Sequence, residues 1–198
     1  MQSGADPEFA AAILAGGEGR RVGGSDKGLL MLHGKPLIER VADALRVQVG
    51  AILICANRHA DEYARFGQVI SDAVPGFHGP LAGIASALAA APSAWLLTVP
   101  VDAPDPPREL AQRLHAAAIA ADAKAAVAHD GAHRQPLFAL YRRDLAPSAA
   151  AALADDLPVY RWQDTIGAVE VDFSAQAPAF ANLNTLDDIR DWERNHAS

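Results

Sequence analysis

The chain of 198 residues contains a single cysteine, Cys55, so no internal disulfide can form. That cysteine lies in an apolar run, which points to a buried thiol rather than a reactive one. Basic residues are in deficit: 17 Lys and Arg stand against 24 Asp and Glu, a formal net charge of −7. This argues against non-specific nucleic-acid binding, although a local cluster such as Arg20-Arg21 can still meet phosphates inside an acidic protein. No apolar run approaches the about 20 residues that a membrane-spanning helix needs. The first residues lack the basic and apolar regions of a secretory signal peptide. Residues 1–9 read instead as a vector-derived leader, set apart from a single domain at 10–198. Together with the lone thiol, these absences predict a cytoplasmic location. Internal repeats and low-complexity linkers are missing, and no domain boundary is visible. His33, His78, His129 and His133 match no metal-ligand spacing.

Hydrophobic residues make up 51% of the chain, which excludes a disordered protein. The length suits one domain with a full core. Strand-like runs at Ala10–Leu14, Ala51–Ala56, Val69–Ser71, Trp95–Val99, Ala125–His129, Leu137–Tyr141 and Val169–Phe173 alternate with helix-like stretches. The helical stretches are Pro36–Val49, Leu81–Ala91, Pro107–Ala121 and Arg142–Ala154. A last helix starts at Thr185, with Asp188 placed as a capping partner. The alternation predicts a three-layer α/β/α domain with a mostly parallel, Rossmann-like sheet. Ligands bind such folds beyond the carboxyl ends of the strands. Gly16, Asn57, Asp72 and Asp102 each follow a predicted strand and are expected to converge there.

The segment Leu14–Gly28, L-A-G-G-E-G-R-R-V-G-G-S-D-K-G, follows the first strand. Its glycines allow close backbone approach to a ligand. Successive N–H groups in such a loop form an anion-binding concavity, and Arg20, Arg21 and Lys27 add positive charge. A nucleoside triphosphate site is the expectation. The standard phosphate fingerprints are nevertheless absent: Lys27 is followed by Gly28 rather than Ser or Thr, and no third glycine completes G-x-G-x-x-G. Asp102 emerges from the uncharged run Trp95–Val99, where a carboxylate needs a partner, a hydrogen bond or a metal. Mg²⁺ favours a carboxylate combined with substrate phosphates. Asn57 and Asp72 suit a base and ribose, because an amide both donates and accepts. Asp26 is a candidate to orient Lys27 or to cap a turn.

The pattern L-A-G-G-x-G-x-R-x-G-G-x-D-K from Leu14 to Lys27 resembles the signature of the molybdenum cofactor guanylyltransferases, MobA-like nucleotidyltransferases with a glycosyltransferase-A-like fold. Further blocks are similar in the same order: Gly34–Ile38, Ile54–Arg58, Gly79–Ile84, Pro100–Pro104, Arg134–Leu140 and Asn182–Thr185. The resemblance implies transfer of GMP from GTP to molybdopterin, or to its molybdenum-loaded form, with release of pyrophosphate. It implies Lys27, Arg21 and Asp102 as catalytic residues, with Asp102 holding Mg²⁺. Leu14, Ala15, Gly16, Gly17, Lys27, Asn57, Asp72 and Asp102 would surround the nucleotide. Gly79, Leu81, Gly83, Gln135, Asn182 and Asn184 would form the acceptor side. Other cofactor-biosynthesis proteins and apo-molybdoenzymes or their chaperones are compatible partners. Three rivals stand beside this reading: CMP transfer from CTP to the same acceptor, a sugar-phosphate nucleotidyltransferase, and a non-catalytic module that binds and delivers the pterin cofactor. Gly16 favours guanine over cytosine, because cytidylyl relatives typically carry L-A-A-G. Val101 departs from the family, where many members have Cys.

Overall fold

The computed structural model describes residues 6–16, 26–72 and 79–195. Along the chain come β1 (Asp6–Leu14), a 3-10 turn (Lys27–Leu29), β2 (Met31–Leu32), β3 (Lys35–Pro36), α1 (Leu37–Arg46), β4 (Val49–Cys55) and α2 (Ala60–Tyr63). They are followed by β5 (Gln68–Ile70), α3 (Pro80–Ala90), β6 (Trp95–Pro100), α4 (Leu110–Ala120), β7 (Ala125–His129) and β8 (Arg134–Arg142). A 3-10 turn (Arg143–Leu145) leads into α5 (Ala146–Ala154), α6 (Val159–Thr165) and β9 (Val169–Asp172), then a 3-10 stretch (Ser174–Phe180) and α7 (Leu186–Asn195).

Among the described residues a seven-stranded sheet runs in the order β5-β4-β1-β6-β8-β7-β9. β1 is parallel to both β4 and β6, β4 to β5, and β7 to β9. Only β8 runs the other way, antiparallel to β6 and β7. The sheet is therefore mostly parallel, as the alternation of elements predicts. The reversal of β8 has a local cause: four residues, Asp130–His133, join it to β7, long enough for a hairpin but too short for a parallel crossover.

Alternation along β1 divides the core in two. Phe9, Ala11 and Ile13 face α1 and α4, with Leu45 and Leu114 in the same cluster. Ala10, Ala12 and Leu14 face α3, α5 and α6, with Leu88 and Trp162. All six residues of β6 are buried, as expected for a central strand covered on both faces. A third, smaller cluster joins Leu32 and Leu37 to Leu183 and Ile189 under α7.

Boundaries differ from the sequence expectation where backbone geometry intervenes. β1 starts at Asp6, so residues 6–9 of the stretch set aside as a leader lie in the strand, and Phe9 is buried. Pro36 precedes α1 rather than joining it, because it pairs with Met31 in a short hairpin. That hairpin turns at His33 and Gly34, both at positive φ, and its two-residue strands are too short to show an alternating pattern. α4 begins at Leu110 because a turn occupies the residues before it, closed by the Leu110 N–H on the Pro107 carbonyl at 3.1 Å. The buried Gln48 clamps this corner: it donates to Pro107 O at 3.1 Å and accepts from the Ala111 N–H at 3.2 Å. Thr185 and Asp188 cap α7 reciprocally, at 2.8 and 3.0 Å.

Leu97 sits in β6 with no exposed surface. Leu97→Ala is expected to lower the unfolding free energy by about 2–5 kcal/mol, the cost of a core cavity. A urea titration checks this, and a loss below about 1 kcal/mol would mean that the neighbouring layers close over the gap.

Candidate active site

Four strands end at one pole of the sheet, and each is followed two residues later by a predicted site residue. Gly16 follows β1, Asn57 follows β4, Asp72 follows β5 and Asp102 follows β6. Backbone bonds carry the parallel alignment past the strand ends. The Ala15 N–H donates to Cys55 O at 3.0 Å, the Ala56 N–H to Ile70 O at 3.1 Å, and the Val101 N–H to Leu14 O at 3.2 Å. The loops therefore leave the sheet in register.

Lys27 reaches this pole from the 3-10 turn. Its Nζ lies 3.1 Å from Asp102 Oδ2, in an ion pair whose side chains are 26% and 16% exposed. It also donates to Asn184 Oδ1 at 2.8 Å. The segment carrying Asn184 is pinned by the Leu183 N–H, which donates to the Asp102 carbonyl at 2.8 Å. Asp188 receives the Asn184 and Thr185 N–H groups at 2.7 and 2.8 Å. These backbone bonds, Asn184 first, and the nearby Lys27 hold its carboxyl below the usual range. Asp26 caps the lysine turn: its Oδ1 accepts the Gly28 N–H at 3.1 Å and the Tyr63 hydroxyl.

Asn57 and Asp72 form a reciprocal pair. The Asn57 amide donates to Asp72 Oδ2 at 2.7 Å and accepts the Asp72 N–H at 2.9 Å. Gly16 is exposed, and a Cβ there would meet only Cys55 O at 3.9 Å. Leu14 is buried beside Cys55. Burial, then the Asp72 charge, push the Cys55 thiol up to about 12.

The residues expected on the acceptor side divide. Asn184 sits on Lys27, at the cationic centre, with Asn182 next to it through a 3.4 Å bond. Gln135 lies at the start of β8 and donates to Asp130 Oδ2 at 2.6 Å. Asp130 also accepts the His133 and Ala132 N–H groups at 2.7 and 2.8 Å, and these bonds lower its carboxyl to about 2. Gly79, at φ +68°, is exposed at the start of α3, a conformation that favours glycine. Leu81 and Gly83 are buried. A Cβ on Gly83 would stand 3.2 Å from Cys55 Cβ and 3.4 Å from Leu14 Cδ2, so this glycine lets α3 approach the sheet. Gly17, Arg20, Arg21 and His78 lie outside the described residues.

No motif in the sequence points to Tyr63. Its partner Asp26 is 37 positions away, and its only local signal is an aromatic within the polar stretch 57–65. Among the described residues no three His, Cys, Asp or Glu side chains come together to hold a metal. A cation here would rest on Asp102 with a nucleotide's phosphates completing its shell. That donor set fits a hard divalent ion, which commonly keeps only one or two protein carboxylates. A surface cavity of about 860 Å³, lined by Lys35, Arg40, Arg108 and Gln176 among others, is bordered by none of the predicted site residues.

This arrangement can meet a polyanion with the Lys27 ammonium, while Asp102 offers a carboxylate for a cation and a polar pair stands to one side. Residues 11–166 match the model of the MobA-like NTP transferase domain. The chain belongs to that family. A molybdenum cofactor guanylyltransferase from Pasteurella multocida is 42% identical over 184 residues, covering 92% of this chain and 97% of the relative. Among solved structures, molybdopterin-guanine dinucleotide biosynthesis protein A from Archaeoglobus fulgidus superposes with a TM-score of 0.77 at 24% identity, covering 94% of this chain and 97% of the other. The 2-C-methyl-D-erythritol 4-phosphate cytidylyltransferase from Thermus thermophilus reaches 0.70 at 18% identity, covering 94% and 98%. At these identities the structural likeness speaks for the fold. That fold is common to enzymes named for different nucleotides, whereas the relative at 42% identity is named for guanylyl transfer.

The 3% exposure of Cys55 and its raised pKa predict an inert thiol in this MobA-like protein. With the thiol pushed up to about 12, its thiolate fraction at pH 8 is on the order of 10⁻⁴. A thiol reagent is expected to label the native protein only at the rate of opening, and the urea-unfolded chain at once. Rapid labelling of the native state would place Cys55 at the surface.

Proposed function

We propose that this nucleotidyltransferase joins GMP from GTP to molybdopterin, or to its molybdenum-loaded form, and releases pyrophosphate. The observation that carries the reading is the Lys27–Asp102 pair at the pole where the strands end. The name of the Pasteurella relative, a molybdenum cofactor guanylyltransferase, supports the same chemistry.

The acceptor's terminal phosphate is already ionised, so no base is required to create the nucleophile. It attacks the α-phosphorus of GTP, a new P–O–P linkage forms, and the bond to the β-phosphate breaks. Catalysis then depends on positioning and on offsetting charge. Lys27 is the mobile cation for the leaving pyrophosphate. Its bond to Asn184 keeps it directed at the site when the contact with Asp102 opens. Mg²⁺, held by Asp102 and the nucleotide phosphates, would supply Lewis-acid stabilisation of their oxygens. Arg21 adds a second positive charge in this reading. Asn57 and Asp72 lie on the side assigned to the base and ribose, and their mutual bonds fix both groups before the ligand arrives. Gln135 and Asn182 remain the polar groups assigned to the acceptor.

GTP with Mg²⁺ is expected to raise the melting temperature more than CTP with Mg²⁺, because stabilisation follows RT ln(1 + [L]/Kd), about 2.7 kcal/mol at a hundredfold excess over Kd. An equal or larger shift with CTP would favour cytidylyl transfer. Gly16→Ala tests the close approach to the nucleotide. The added Cβ meets nothing in the protein nearer than 3.9 Å, so the unliganded melting temperature should hold while the GTP shift shrinks.

Lys27→Ala and Asp102→Asn should each lower turnover by about 10² or more, the scale seen when a charge-stabilising contact is removed. Both proteins should still melt cooperatively, since the pair is partly exposed. Near-normal turnover in Asp102→Asn, with an unchanged Mg²⁺ requirement, would move the metal elsewhere.

A further inference from the structure

Tyr63 closes α2 with its ring wholly buried, yet it carries a hydroxyl. That hydroxyl donates to Asp26 Oδ1, and the same oxygen accepts the Gly28 N–H at 3.1 Å. The two contacts bracket Lys27, one residue on either side. The turn is completed by the Leu29 N–H on Asp26 O at 3.2 Å and the Leu30 N–H on Lys27 O at 3.1 Å. Gly28 has no room for a side chain: a Cβ there would collide with the Tyr63 hydroxyl and stand 2.9 Å from Val101 Cγ2. Val101 adjoins Asp102, the partner of Lys27. The phenol is thus seated against the backbone that aims the lysine and close to the strand end that carries the carboxylate.

We propose that Tyr63 is a positioning residue for Lys27. Through Asp26 it fixes the 26–28 turn so that the ammonium stands beside Asp102, and it links the loop after β4, which carries Asn57, to the phosphate side of the site. The proposal rests on the transferase reading above. Burial, followed by the neighbouring Asp26, pushes the phenol above its ordinary range, so it remains a protonated donor at neutral pH. The ring packs in the same cluster as Val101 and Ile54, so the hydroxyl can be removed while the packing stays.

Tyr63→Phe removes only the hydroxyl. Turnover, KM for GTP, and calorimetric affinities for GTP and GMP are measured alongside thermal melting. Turnover is expected to fall about tenfold, because small misplacements of a catalytic group are costly. Affinity for GMP, which lacks the β and γ phosphates, should stay within about twofold. In a Lys27→Ala background the same substitution should change turnover by less than about twofold, since groups acting through one another are not additive. An equal loss in both backgrounds would overturn the proposal and leave Tyr63 a packing residue. Asp26→Asn keeps an oxygen able to accept both bonds and should retain most activity, while Asp26→Ala should not. A collapse of Asp26→Asn as deep as that of Asp26→Ala would mean that charge rather than placement matters, and would also overturn it. If Tyr63→Phe fails to fold, the two Asp26 variants in the two Lys27 backgrounds decide the question. Absence of GMP transfer by the unsubstituted protein would defeat the transferase reading separately. The ratio of GTP to GMP affinity still tests the coupling in that case: it should fall in Tyr63→Phe, and an unchanged ratio would overturn the proposal.

Discussion

The contact of Lys27 with Asp102 and Asn184 gathers three stretches of chain that are far apart in sequence. Lys27 is 75 positions from Asp102 and 157 from Asn184. The turn after the glycine-rich segment, the end of β6 and the strap before α7 meet at one ammonium group. Its surroundings follow from that meeting. Leu183 bonds to the Asp102 carbonyl, Asp188 caps the strap, and the small cluster of Leu32, Leu37, Leu183 and Ile189 lies behind it. A partly exposed ion pair contributes little to stability by itself. Its value here is positional: it holds the ammonium beside Asp102 and Asn184 at the pole where the strands end.

The sheet makes this possible by leaving only its ends available. Helices cover both faces, and β6 buries every residue. Polar side chains along such a strand would need partners within the core; Thr98 finds one in the Ala139 carbonyl at 3.3 Å. β6 accordingly carries no charged residue, and the carboxylate of Asp102 stands in the loop beyond it. The parallel strands all deliver such loops to the same pole, and β8, running the other way, begins there. The turn before it and its first residues bring Asp130 and Gln135 to that edge. The antiparallel strand thus adds polar groups where a parallel one would have brought its far end.

Two devices around the lysine work by geometry rather than by charge. Gly83 has no side chain because α3 comes within contact distance of Cys55 and Leu14. Gly28 has none because the Tyr63 hydroxyl and Val101 occupy that space. The first packs a helix against the strand ends, and the second packs a turn against a buried phenol. Gly83 lies in a block that resembles the family and Gly28 directly follows one, yet neither serves through a positive φ, in contrast to Gly79 at +68°.

Much of this architecture could be read from the chain itself. Apolar runs of strand length, broken by stretches with helical spacing, identified the α/β class and the four strands after which Gly16, Asn57, Asp72 and Asp102 stand. Those features are local: a strand buried on both faces must be apolar along its length, and the first polar residue beyond it marks its end. The Thr185–Asp188 cap was likewise visible, since its partners are three residues apart. Other features depended on the tertiary structure. The direction of β8 follows from how the hairpin after β7 closes, and the short hairpin at Met31–Pro36 leaves no periodic trace. The bond between Asn184 and Lys27, and that between Tyr63 and Asp26, join side chains whose separation along the chain carries no repeating pattern. Sequence by itself determined which segments are buried and which residues stand at strand ends, because burial follows local side-chain chemistry. Only the packed structure decided which of those residues touch, because contact depends on where the intervening layers bring them.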